Sequence, residues 1–210
     1  VPCLVFPKLQ ENISALSSFV YPGFKSIKNI SGVTGTNGKT TITTMIRYLL
    51  EKSGRPCGLM GTINCWDGKV LEEASHTTPP NTNIFQVLDR CEKNKLNYCT
   101  MEVSSHALKQ ERLGSIKLKA GVFTNLTQDH LDYHQTMDDY KNSKLKMLDL
   151  IDTDGVAVVV GDNEFGKEII KLKKNNIIVV GKGEEAHFQI KDIRMSLNGT
   201  EFNLRVMNKT

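Results

Sequence analysis

No apolar run in the 210-residue sequence approaches the roughly 20 residues that a helix needs to cross a membrane. Nor does a basic segment lead into an apolar one near the start, so no secretory signal is expected. Basic residues, 27 against 23 acidic ones, form no dense block, and the net charge of +4 supports a small anionic substrate better than nucleic acid. Cysteine is sparse and unpaired in spacing: Cys3, Cys57, Cys65, Cys91 and Cys99 are odd in number, lack a CxxC pair and mostly sit among apolar neighbours. That argues against a disulfide framework or a cysteine metal cage, and for reduced thiols in a cytosolic protein. Internal repeats and low-complexity tracts are absent too. What is left, 39% hydrophobic with mixed charge, is enough for one substantial core, and a soluble cytoplasmic monomer is expected. The opening Val1-Pro2-Cys3-Leu4 has no initiator Met, which suggests a start inside a longer protein.

The chain is organised around Gly32-Val33-Thr34-Gly35-Thr36-Asn37-Gly38-Lys39-Thr40-Thr41. Gly35 and Gly38 can adopt backbone angles closed to other residues, so successive amides can turn inward on phosphate oxygens, and a helix starting near Lys39 adds its positive N-terminal dipole. Lys39 would then pair with the β- and γ-phosphates, and the Thr40 hydroxyl would ligate Mg²⁺. Val33 stands where the general phosphate-loop pattern has glycine, and a glycine turn that merely joins strand to helix is the bland alternative.

Residues 1–26 read as an incoming linker with prolines 2, 7 and 22 and a packing helix carrying Ile13, Leu16 and Phe19/Val20. Ile27 to Val33 reads as the first strand, followed by a helix whose apolar face is Ile42, Met45, Ile46, Leu49 and Leu50, ended by Gly54. A second strand is expected from Cys57 to Ile63, then a projecting hairpin turning at Asp67-Gly68. Ile84, Val87, Leu88 and Cys91 mark a helix, Tyr98 to Val103 a strand, Ser105 to Arg112 a short helix, Ala120 to Thr124 a strand, and residues 138–151 a helix. Val156 to Val160, a helix around Ile169-Ile170, and Ile177 to Val180 continue the alternation. The fold class is therefore α/β, a mostly parallel doubly wound sheet with ligands at the carboxyl ends of its strands. Asn198-Gly199 predicts a closing antiparallel hairpin appendage with Met195 opposite Phe202, Ile193 opposite Leu204 and Asp192 opposite Arg205.

Four separated pieces fall on the carboxyl edge of this sheet: Gly35-Thr36-Asn37-Gly38-Lys39-Thr40-Thr41; Thr77-Thr78-Pro79; Glu102-Val103-Ser104-Ser105-His106 with Gln110 and Arg112; and Phe123-Thr124-Asn125-Leu126 through Asp129-His130-Leu131-Asp132-Tyr133-His134. Their combination resembles the Mur ligases, the ATP-dependent amide-forming enzymes of peptidoglycan precursor synthesis, most closely the MurE type, over about residues 27–181. The resemblance implies that residues 27–210 are an incomplete central ATP-binding domain, with a uridine-binding domain before it and an amino-acid-binding domain after it. It implies ATP and Mg²⁺ as cofactors, UDP-MurNAc-L-Ala-D-Glu and a diamino acid as substrates, and Asn125 beside the phosphate loop as a nucleotide contact.

By the same resemblance Glu102 is a Mg²⁺ ligand, His130 a ligand of a second Mg²⁺, and Lys144 the lysine that becomes a carbamate. Thr77, Thr78, Ser104, Gln110 and Arg112 contact the muramyl substrate, Arg112 through a guanidinium suited to carboxylate or phosphate. Each has a plainer reading: Glu102 a solvated carboxylate at a loop mouth, His130 a loop histidine bonded to Asp129 or Asp132, Thr77-Thr78 a rigid turn before two prolines, Lys144 a snorkelling lysine. For Lys144 the helical phase itself is informative. Tyr140, Lys144, Met147, Leu148 and Ile151 share one stripe, which puts the lysine inward among apolar neighbours and lowers its pKa. No role is expected for the Gly161-Asp162-Asn163-Glu164 turn. Rival functions are another phosphate-loop kinase or hydrolase, a folylpolyglutamate synthetase, or a nucleotide-binding fragment without turnover.

Overall fold

The computed structural model describes residues 8–172 and 176–206, so Cys3 and prolines 2 and 7 lie outside the described residues. In chain order the elements are α1 (Leu9–Val20), a 3-10 turn (Pro22–Ser26), β1 (Asn29–Thr34), α2 (Lys39–Lys52), β2 (Cys57–Met60), β3 (Asn64–Trp66), β4 (Leu71–Glu73), α3 (Asn81–Lys93) and β5 (Tyr98–Glu102). Then come α4 (Ser105–Lys109), β6 (Leu118–Phe123), α5 (Leu131–His134), α6 (Met137–Leu145), α7 (Met147–Leu150), β7 (Ile151–Val160), α8 (Glu164–Leu172), β8 (Asn176–Gly181), β9 (Phe188–Ser196) and β10 (Gly199–Val206). All ten strands form one sheet in the order β10-β9-β8-β7-β6-β1-β5-β2-β3-β4, parallel from β9 across to β2 and antiparallel only at the two edges. This is the doubly wound sheet expected from the alternating periods.

The topology decides where a ligand can sit. The chain leaves β1 through α2 toward β2 on one side, then returns through β5 and α4 to β6 on the other, which opens a crevice at the carboxyl ends around β1. Beneath it the strands are dry: Val33, Met101, Val103, Phe123, Ala157 and Val159 belong to the buried core, closed on its flanks by Ile84, Phe85, Leu88, Met147 and Ile169. Gly23 lies against Asp89, whose carboxylate accepts its N–H at 2.9 Å, and Phe24 meets Phe85 edge-on, so the N-terminal stretch is anchored on α3.

Several boundaries differ from expectation. β1 starts at Asn29 because Ile27 ends the 3-10 turn, β2 stops at Met60 and leaves Ile63 exposed, and β7 begins at Ile151. The expected helix over 138–151 is two helices, α6 and α7, separated at Lys146. α1 turns Ser17 inward, where it donates to Asn81 at 2.8 Å, and leaves Phe19 and Val20 exposed. On α2 the inward row is Thr43 with half-buried Ile42, Ile46 and Leu50, whereas Met45 and Leu49 lie outward. The apolar residues there span more of the helix circumference than the sheet covers.

Both hairpins extend the main sheet instead of projecting from it. At the first, Asp67 accepts from the N–H groups of Lys69 and Val70 while Gly68 takes φ 98°. At the second, the closing pair is Ser196–Gly199 around Leu197-Asn198, so Met195 faces Thr200 and Leu204 faces Ile190. The Ser196 hydroxyl accepts the Asn198 N–H and donates to the Gly199 carbonyl, which draws the turn one position earlier than Asn198-Gly199 alone suggests. Asp192, at φ 52°, sits in the bulge that removes Ile193 and Asp192 from their expected partners.

The four described cysteines, Cys57, Cys65, Cys91 and Cys99, are free and buried, and burial pushes the Cys57 thiol up to about 12. No helix among the described residues is long and apolar enough to cross a membrane.

Candidate active site

The segment after β1 forms a loop clamped from the side by the end of β6. Gly35 has φ 146°, and a Cβ on it would stand in the position of the Thr124 hydroxyl; Gly38 has φ 88° and directly precedes α2. Thr36 N–H donates to the Asn125 carbonyl at 3.0 Å, Asn37 N–H to Asn125 Oδ1 at 2.9 Å, and the Thr124 hydroxyl to the Asn37 carbonyl at 2.7 Å. The Thr36 hydroxyl donates to the Thr127 carbonyl, accepts from the Thr127 N–H, and lies 3.2 Å from the Tyr140 hydroxyl. Asn125 therefore shapes the loop directly. Thr124 and Tyr140 share that task, although neither has a role of its own in the sequence pattern: Thr124 reads there as a strand end within the 123–126 piece and Tyr140 as part of a stripe.

Two lysines converge under the loop. Lys39 Nζ donates to the carbonyls of Gly35 and Thr36 at 3.0 and 2.8 Å, and Lys144 Nζ donates to the same Gly35 carbonyl at 2.9 Å. Lys144 is 1% exposed and lies 4.4 Å from the centre of the Tyr140 ring, so the stripe seen in the sequence holds and the snorkelling reading does not. Burial, with the Lys39 charge second, lowers Lys144 to about 7; burial also holds Lys39 below its ordinary value. Neither ammonium forms a salt bridge among the described residues. The desolvated Lys39 ammonium, joined by Lys144 when that amine is protonated, makes a favourable seat for an anion.

This burial has a measurable consequence. An unfolded lysine titrates near 10.5 and the folded Lys144 near 7, so between those values the unfolded chain binds the extra proton and stability rises with pH. Lys144→Met removes the penalty. Without nucleotide or divalent cation, the variant is expected to exceed the wild type below pH 7 by on the order of 5 kcal/mol, with the gap closing toward pH 10.5. Thermal melts at pH 6.5 and 9.5 check the sign.

Glu102 ends β5 with 1% exposure, which excludes the solvated reading. Its Oε2 accepts from the Thr40 hydroxyl at 2.9 Å and the Thr62 hydroxyl at 3.0 Å, and Oε1 accepts from the Thr62 N–H at 2.7 Å. Thr62 lies in the loop after β2 and carries no local sequence signal beyond its place at a strand's carboxyl end. Thr41 is exposed on the outer side of α2. No group of three His, Cys, Asp or Glu among the described residues is arranged to hold a metal by itself. The Thr40–Glu102 oxygen pair nevertheless fits Mg²⁺, which typically takes one or two protein oxygens and completes its shell with phosphate and water.

His130 is half-exposed at φ 51°, with its N–H on Asp129 Oδ1 at 2.9 Å and Nε2 3.4 Å from Asp129 Oδ2, the contact expected of the plainer reading. Its ring meets His106 edge-on at 4.9 Å, and His106 lies against Tyr133 at 4.1 Å. Burial, then the neighbouring His130 and His134, holds His106 below the usual histidine range.

The remaining expected residues form one chain of bonds along the crevice. The Thr78 hydroxyl, buried, donates to the Glu102 carbonyl at 2.8 Å and accepts the Ser104 N–H at 2.9 Å, while Ser104 caps α4 through the Ala107 N–H. Arg112 reaches the Thr78 carbonyl at 2.7 Å and Gln110 Oε1 at 2.9 Å, and Gln110 donates to the Tyr133 hydroxyl at 3.1 Å. Thr77 meets Thr62, hydroxyl to hydroxyl, at 3.1 Å. Beyond them a cleft of about 1310 Å³ runs between α1, the 108–115 turn and α7; Gln110 and Arg112 line it. Asn163 donates to the Thr124 carbonyl at 3.0 Å and accepts the Gly166 N–H, so the turn for which no role was expected ties α8 to the end of β6.

Residues 33–210 match the Mur ligase middle domain. Over 203 residues the chain is 34% identical to the UDP-N-acetylmuramoyl-L-alanyl-D-glutamate--2,6-diaminopimelate ligase of Syntrophomonas wolfei, covering 96% of this chain and 42% of that protein. It is 40% identical over 173 residues to the UDP-N-acetylmuramoyl-L-alanyl-D-glutamate--2,6-diaminopimelate ligase 1 of Clostridium acetobutylicum, covering 82% of this chain and 35% of that one. A solved UDP-N-acetylmuramoyl-L-alanyl-D-glutamate--2,6-diaminopimelate ligase superposes with a TM-score of 0.82 at 28% identity, over 97% of this chain and 42% of that chain. The chain thus spans about two fifths of the length of these relatives. With a clamped glycine loop at the switch point of a parallel sheet, and a family match that begins at the end of the strand leading into that loop, the chain belongs to the Mur ligase family and carries its middle domain.

Proposed function

We propose that this chain binds the ATP of a cytoplasmic, monomeric ligase that adds a diamino acid to UDP-MurNAc-L-Ala-D-Glu in peptidoglycan precursor synthesis. The observation that carries the reading is the pair Lys39 and Lys144 on one loop carbonyl, with the Thr40–Glu102 oxygen pair beside them. In the reaction a D-Glu γ-carboxylate oxygen bonds to the γ-phosphorus of ATP as the bond to ADP breaks. The resulting acyl phosphate is attacked by the amine nitrogen, which loses a proton as inorganic phosphate leaves. Two anions must meet, so the protein's contribution is mainly charge placement.

The Gly38 amide, the first amides of α2 and the Lys39 ammonium would hold the phosphates in line, with Asn125 taking the Thr36 and Asn37 amides and keeping the loop in shape. Thr40 and Glu102 would hold Mg²⁺, and His130 with carbamylated Lys144 a second ion; the cations would screen the phosphate charge against the incoming carboxylate. The neutral Lys144 amine adds to CO₂ with loss of one proton, forming an N–C bond and a carboxylate. Thr77, Ser104, Gln110 and Arg112 would orient the muramyl peptide, with Thr78 supporting Arg112 and Ser104 from below. A uridine-binding domain before this chain and an amino-acid-binding domain after it would complete the enzyme.

The test compares ATP consumption by the complete enzyme with and without UDP-MurNAc-L-Ala-D-Glu and a diamino acid. Formation of ADP and amide only when both acceptors are present is expected. ATP turnover indifferent to the muramyl dipeptide, or dependent on a folate instead, would contradict the reading. The 210-residue chain alone is expected to bind Mg-ATP and form no amide.

A further inference from the structure

The Glu102 carboxylate is gripped by a turn that the family resemblance does not single out. After β2 the chain lays Gly61 and Thr62 against it, and Thr62 donates twice, backbone N–H to Oε1 and hydroxyl to Oε2. With the Thr40 hydroxyl on Oε2, three donors hold both oxygens of a fully buried side chain. Gly61 makes the approach possible, because a Cβ there would stand 2.5 Å from Oε1. The terminal torsion of a glutamate is otherwise soft, so such contacts decide where its oxygens point. Thr62 has a single hydroxyl proton, and while that proton is on Glu102 the contact with Thr77 is supplied by the Thr77 hydroxyl. A chain of hydroxyls therefore runs from Thr77 through Thr62 to the carboxylate.

We infer that Thr62, seated by Gly61, is a positioning residue that aims the Glu102 carboxylate at the divalent cation and ties that aim to Thr77. The inference rests on the proposed reading of Glu102 as a cation ligand. Partners that orient a metal ligand in this way commonly contribute 10- to 100-fold in metal affinity.

Mn²⁺ serves as the probe, titrated by electron paramagnetic resonance into the ADP-saturated protein. Thr62→Val keeps the shape and the N–H but lacks the hydroxyl, and should weaken Mn²⁺ about tenfold, while Thr62→Ser stays near wild type. Gly61→Ala should weaken Mn²⁺ at least as much as Thr62→Val. ADP affinity without divalent cation should be unchanged in all three. A threonine of purely structural importance would lower the melting temperature and leave Mn²⁺ affinity of the folded protein alone. Unchanged Mn²⁺ affinity in Thr62→Val and Gly61→Ala, with loss in Glu102→Gln, would overturn the clamp and leave the cation reading standing. Unchanged affinity in Glu102→Gln as well would overturn both.

Discussion

Alanine at position 144 is expected to abolish amide formation by the complete ligase, and a short-chain carboxylic acid is expected to restore part of it. Lys144 is buried beside the phosphate loop with its amine near 7, so around neutral pH a large share is unprotonated and able to add to CO₂. The carbamate so formed would present two oxygens where the ammonium now meets the Gly35 carbonyl. Deleting a group that stabilises transition-state charge commonly costs about 10²–10³ in kcat. Acetate or propionate can occupy the space left by the alkyl chain and supply a carboxylate in its place, so kcat should rise with acid concentration in the variant and not in the wild type. A lysine needed only for packing predicts no such rise, and that outcome would remove the carbamate from the mechanism.

Lys39→Ala is expected to weaken Mg-ATP binding about 10- to 150-fold, as one charge-assisted phosphate contact contributes roughly 1.5–3 kcal/mol. Isothermal titration calorimetry on the chain reads it directly. A second effect follows from the shared Gly35 carbonyl. The Lys39 charge is, after burial, the next cause of the depressed Lys144 value, so its removal should let Lys144 hold its proton to higher pH. The activity left in the variant should accordingly rise with pH over a range shifted upward from that of the wild type. Undiminished ATP affinity in Lys39→Ala would place the phosphates elsewhere.

Local pattern was informative where one element acts alone. The period of 2 changing to 3.6 located β1 and α2, and the glycines at 35 and 38 stand where positive φ is required. The phase of α6 foretold the burial of Lys144, because a helix position faces the same way whichever partner covers it. Phase was less reliable on α2, where apolar residues occupy more of the circumference than the sheet can cover and Met45 and Leu49 stay outside. Hairpin register failed at the second turn because the Ser196 side chain and the bulge at Asp192, not the Asn-Gly pair, set the pairing.

The alternation of strands and helices, the glycine loop and the inward lysine were legible along the chain, since each depends on neighbours within a few residues. Which distant groups meet depends on how the strands assemble. Thr124 and Asn125 brace a loop 88 residues earlier in the chain, Lys144 and Lys39 share one carbonyl, and Thr62 grips Glu102 from a separate strand end. None of these pairings leaves a periodic trace, because they are fixed by β1 lying between β5 and β6 in the sheet, a long-range order that spacing along the chain does not encode.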